Sequence, residues 1–136
     1  MKTITYTVLT ADAQTDGSVL CGVATYTAPA EGFYKAIQNH VGGVFDVTRT
    51  PDGLSVYCHD EGLLIGLPMN PYAAALWSYG LAGTLVVTGD VDADGYDTDV
   101  PEGFAERAAW RCELLLNALR AEAGLPPLEG HPTSVR

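Results

Sequence analysis

Val44-Phe45-Asp46-Val47-Thr48-Arg49, then Pro51-Asp52-Gly53, then Leu54-Ser55-Val56-Tyr57-Cys58-His59 is the stretch that decides the fold. Two runs alternate in polarity with period two, the spacing at which successive side chains fall on opposite faces of a strand. Between them stands a proline that fixes φ and a glycine that tolerates positive φ, which is turn chemistry. The reading is an antiparallel hairpin over 44–59, with Leu54, Val56 and Cys58 on one face and His59 on the other.

Upstream, Thr3 to Thr10 is β-branched and aromatic, with Ile4, Tyr6 and Val8 on one side. Asp16-Gly17 signals a turn, and Val19 to Thr27 reads as a second strand closed by Pro29. Phe33, Ile37 and Val41 recur at helical spacing and are followed by Gly42-Gly43, a helix with its terminator. Downstream, Asn70-Pro71 has the form of a helix start, the asparagine capping and the proline at the first helical position. A short helix over 72–77 follows, then a strand over 84–88 and an acidic loop over 90–99.

The last long element spans Phe104 to Ala123, with Phe104, Ala108, Cys112, Leu115 and Leu119 as its stripe, widened by Trp110, Leu114 and Leu116. Gly124 and Pro126-Pro127 end it. The expected architecture is α+β, one small domain over 1–127. It has a mainly antiparallel sheet, two short helices and one long C-terminal helix, with residues 128–136 a flexible tail.

The chain holds 7 Lys+Arg against 17 Asp+Glu, a net charge of −10. Phosphate neutralisation needs clustered cations, so nucleic acid is not an expected partner, and an anionic membrane is disfavoured for the same reason. No run approaches the ~18 apolar residues of a membrane span, and the alternating N-terminus does not have the apolar stretch of a secretory leader. Cys21, Cys58 and Cys112 lack zinc-ligand spacing and are odd in number, which predicts free thiols, no structural zinc and a reducing, cytoplasmic setting.

Gly42-Gly43-Val44-Phe45-Asp46-Val47, Asp52-Gly53-Leu54, Asp60-Glu61-Gly62-Leu63, Gly66-Leu67-Pro68-Met69-Asn70-Pro71-Tyr72-Ala73-Ala74 and Gly89 together resemble the small uncharacterised phage and bacterial proteins of domain-of-unknown-function family 3846. The Leu-Pro-x-Asn step before a short helix is the most specific part, and the likeness covers roughly residues 33–100. It implies a source in phage or mobile-element genomes and a small accessory role, and it brings no catalytic residue with it.

Four groups of residues invite a chemical reading. Asp90, Asp92 and Asp94, with Gly95, match the first half of a calcium loop, but Pro101 stands where the bidentate glutamate belongs. Cys58-His59 has the residue types of a thiol enzyme, yet adjacent strand residues point to opposite faces. His40 reads as a helix-end residue favoured by the dipole. Tyr72, Trp77 and Tyr79, with Trp110 and Leu114 on the long helix, either fill the core or form an interaction surface, the last two as a homodimer face.

The expectation is therefore a non-enzymatic accessory protein that binds a host protein or itself, with no catalytic residue, no cofactor and no metal. A small-molecule or nucleotide-binding module that sequesters a signal is the alternative, and an acidic DNA mimic a further one.

Overall fold

The computed structural model describes residues 2–128. Five strands form one sheet in the order β2-β1-β5-β4-β3, with every pairing antiparallel. They are β1 (Thr3–Ala13), β2 (Val19–Pro29), β3 (Phe45–Arg49), β4 (Ser55–His59) and β5 (Leu85–Thr88), with helices α1 (Phe33–Val41), α2 (Pro71–Trp77) and α3 (Phe104–Glu122) between and after them. This is the α+β domain the patterning predicts. β1 and β2 run longer than expected, as eleven-residue partners in unbroken register from Thr3↔Pro29 to Ala13↔Val19.

The hairpin over 44–59 forms as read: Phe45 pairs with His59 and Arg49 with Ser55. Thr50 and Leu54 close the turn through a backbone bond of 2.9 Å, and Gly53 sits at φ +84°. β4 is interior, whereas β3 is an edge, so β3 stays half exposed.

The two faces of the sheet carry separate cores. Ile4, Tyr6, Val8, Tyr57 and Val86 meet Phe33, Ile37 and Val41 of α1 on one face. Leu9, Leu54, Val56, Leu85 and Val87 meet Tyr72, Ala73 and Ala75 of α2 and Phe104, Ala108 and Cys112 of α3 on the other. Each fully buried aliphatic side chain of this kind stabilises by roughly 1.5–3 kcal/mol. β5 lies between both layers, and all four of its residues are buried.

The stripe of α3 departs from its expected course. Phe104, Ala108 and Cys112 are buried and Leu115 packs against the core, but Leu119 is exposed and Asn117 is buried in its place. Asn117 accepts the backbone N–H of Leu128 at 2.8 Å, so the chain after the helix folds back along it. Leu115 packs against the core, whereas Leu119, one helical turn later, stands half out of it. Leu128, expected in the tail, is thus tied down; residues 129–136, with His131, lie outside the described residues.

Candidate functional site

The acidic loop is a brace. β5 pairs with β1 only at Thr7, Val8 and Leu9. The N-terminal half of β1 is met instead by the end of the loop: Asp99 accepts the N–H of Thr5 at 2.8 Å, and Val100 donates to the Thr5 carbonyl at 2.9 Å. Asp97 turns inward and accepts the Tyr57 hydroxyl, 2.7 and 2.8 Å from its two oxygens, and the Thr88 hydroxyl at 3.2 Å. Asp90 pairs with Arg49 at 2.5 Å. Gly89 permits this approach, since a Cβ there would collide with the backbone carbonyl of Asp99.

Asp92 closes the turn by accepting the N–H groups of Asp94 and Tyr96 at 2.9 and 3.0 Å. Those backbone bonds, Tyr96 first, lower its carboxyl below the ordinary range, with Lys2 assisting. Asp90 and Asp92 are thus engaged with Arg49 and with the backbone of the turn itself. Among the described residues no group of three or more His, Cys, Asp or Glu side chains is placed to hold a metal ion.

Cys58 and His59 diverge as the strand geometry demands. Cys58 packs with the Leu54–Val56 face. Burial pushes its thiol up, and the carboxylates of Asp46 and Asp60 push it further, so it is kept protonated. The His59 ring instead lies over Gly43, and its Nδ1 accepts the N–H of Glu61 at 3.1 Å. Cys21 is exposed on β2 and Cys112 is buried on α3, its thiol raised to about 11 by burial first.

His40 stands in the last turn of α1 as expected, but not as a cation. Its Nε2 lies 3.0 Å from the Tyr6 hydroxyl, and its ring stands against Tyr6 and Tyr26. Burial lowers its pKa, favouring the neutral ring over a dipole-stabilised cation.

Most of the aromatic group is packing. Tyr72 is buried in the core, and its burial raises its phenol to about 12. Trp77 stacks on Phe104 and on Tyr79, and its indole N–H donates to Asp52 at 3.2 Å. Arg107 reaches the same Asp52 at 3.2 Å while lying over the Phe104 ring, so the hairpin turn, α2 and α3 are tied at one point. Trp110 and Leu114 are half-buried.

The apolar surface that does face outward was not singled out by the sequence. Leu63, Leu64 and Ile65 are 71%, 84% and 56% exposed, and Met69, a little further along the chain, is 52% exposed. They ride on a tight turn fixed by Ile65 N–H to Glu61, Gly66 N–H to Leu63 and Leu67 N–H to Gly62, at 3.0, 3.3 and 2.9 Å. Leu63 and Leu64 also wall a cleft of about 340 Å³ whose other side is His59, Gly80 and Leu81. The available signal was an apolar triplet bracketed by Gly62 and Gly66, too short for a strand and set on a turn.

A family model described as Domain of unknown function (DUF3846) matches residues 14–112. The chain belongs to this family. The match is wider than the stretch 33–100 on which the resemblance rests, and takes in β2 and the first half of α3. No curated protein and no solved structure matches the chain. No helix among the described residues is long and apolar enough to cross a membrane.

Proposed function

We propose that this protein works by binding another protein, without catalysis, and that the Leu63-Leu64-Ile65 projection is its anchor. The carrying observation is three consecutive large apolar side chains held out on a hydrogen-bonded turn. Contiguous apolar surface of this kind marks interaction sites. A fixed turn also reduces the ordering cost of association. The adjoining cleft offers a socket for one side chain of the partner, and the −10 net charge favours a partner whose rim is basic.

Most of the polar groups that suggested chemistry are engaged in the fold: Asp90 with Arg49, Asp92 with the backbone of its own turn, His40 with Tyr6, and Cys58 as a protonated thiol. The resemblance to phage and bacterial accessory proteins supports a partner in the cytoplasm of a host cell. Purification from the native host separates the readings. A host protein retained by wild type, lost with Leu64→Ser/Ile65→Ser and rebinding when both components are pure, supports this proposal. A tightly held small molecule favours the signal-sequestering alternative, and a partner retained equally by the variant removes the anchor.

A further inference from the structure

β2 is an eleven-residue edge strand with no charged side chain: Val19-Leu20-Cys21-Gly22-Val23-Ala24-Thr25-Tyr26-Thr27-Ala28-Pro29. Among the described residues it pairs with β1 alone, and no other segment hydrogen-bonds to its outer side. Its register with β1 is unbroken, so no bulge turns the edge away, and its only proline is the last residue. Native edges are ordinarily blunted by charges, prolines, bulges or shortness. The opposite edge follows that rule, since β3 is five residues long and carries Asp46 and Arg49. In a chain with 17 acids, leaving all of them off the longest edge makes this edge fit for pairing.

We propose that the occupant of this edge is β2 of a second copy, joined antiparallel about a two-fold axis into one continuous ten-stranded sheet. Self-pairing is favoured because the strand complements its own reverse. Full overlap places Ala24 on the axis, Val23 opposite Thr25 of the second copy, Cys21 opposite Thr27, and Tyr26 opposite Gly22. The last pair puts the one glycine of the strand, where added atoms meet nothing within 4 Å, opposite Tyr26, whose ring turns back onto Tyr6 and His40 and leaves the joint clear. Val23 with Thr25 is a β-branched cross-strand pair. No like charges meet within the strand pair, although each copy carries −10. Antiparallel pairing supplies about one backbone hydrogen bond per residue along the joint. The Leu63–Ile65 turn follows β4, which β1 and β5 separate from β2, so this inference does not depend on the partner-binding reading.

Light scattering tests it on the full chain, the expected mass being twice 14.4 kDa at high micromolar concentration. Ala24→Lys with Thr25→Lys places a charge on each face of the edge at exposed positions, and should give a folded monomer whose melting temperature is lowered modestly by the lost dimer and the lost Thr25–Thr7 hydroxyl contact. Independently, Ala24→Cys in a Cys21→Ser background should oxidise to a covalent dimer, because an axial residue faces its own copy within disulfide range, while Val19→Cys in that background should not. A wild type that stays monomeric at the highest concentration reached, or a dimer that the lysine pair leaves intact, overturns the proposal. If the lysine pair unfolds the chain, the cysteine scan decides: cross-linking at position 24 supports the joint, and its absence there overturns it.

Discussion

The side-chain amide of Asn70 donates to the backbone carbonyl of Leu9 at 2.9 Å, and it also donates to the carbonyl of Gly83 at 2.9 Å. Its oxygen meanwhile accepts the N–H of Tyr72 at 2.9 Å and caps α2. One buried residue thus satisfies a carbonyl inside β1, the segment entering β5 and a helix start. Asn70→Ala should cost about 2–4 kcal/mol, combining a lost cap with two stranded carbonyls. Asn70→Asp keeps the cap oxygen but turns a carboxylate toward those carbonyls, and should be worse. Urea denaturation measures both, and an Asp variant as stable as the Ala variant would show that the amide is not the donor.

Tyr57 and Asp97 form the second internal tie, joining the acidic loop to β4. Tyr57→Phe and Asp97→Asn should each cost about 1.5–3 kcal/mol, and the double variant should cost less than their sum. Burial first, then the hydrogen bond to Asp97 and its charge, raise the Tyr57 phenol well above its ordinary 10. A pKa raised on folding gives stability that is full below the unfolded value and is lost as pH rises past it. Wild type should therefore lose stability above pH 10 more steeply than Tyr57→Phe; parallel curves would contradict the tie.

His40 governs the acid side. Its pKa is lowered by burial among Tyr6, Tyr26 and the α1 face, so the folded state prefers the neutral ring. The stability this gives is present above the unfolded value of 6.5 and is lost as pH falls through the folded one. His40→Gln should flatten the stability profile between neutral pH and the onset of carboxylate protonation. Chemical denaturation at a series of pH values reads the difference, and an unchanged slope would assign it to other groups.

Much of this fold is legible in the amino-acid sequence. The period-two runs about Pro51-Asp52-Gly53, the helix stop at Gly42 and the cap at Asn70 are local signals, and local geometry realises them. What escapes is what depends on distant partners. Asp90 to Asp99 reads as an acidic turn because nothing nearby in sequence says that Thr5 and Tyr57 need its oxygens. Leu119 reads as core because periodicity cannot tell where the layer beneath a helix ends, and the short apolar run Leu63 to Ile65 does not announce its exposure because exposure is a tertiary property.

Gly53 tests the turn that decides the fold. At φ +84° it occupies the left-handed region, with open space where a Cβ would stand, so a side chain there is strained by conformation alone. Gly53→Ala should cost about 1–2 kcal/mol, and Gly53→Val more, since β-branching tightens the restriction. Thermal denaturation of both variants checks the order. An alanine variant as stable as wild type would mean that the turn relaxes to negative φ.

Leu54 and Leu64 carry the same side chain to opposite ends of the burial scale, at 3% and 84% exposure. Leu54→Ala should cost about 2–4 kcal/mol, because it opens a cavity under α2 and α3. Leu64→Ser should change stability by no more than about 0.5 kcal/mol, because its side chain already stands in water. The serine should also raise solubility by interrupting a contiguous apolar patch. Urea midpoints and the concentration at which each protein begins to scatter measure the two effects. A Leu64 variant that unfolds would place this residue in the fold and withdraw the apolar turn as a contact surface. A variant that is fully stable and more soluble leaves Leu64 contributing nothing to folding and keeps the apolar turn available as a contact surface.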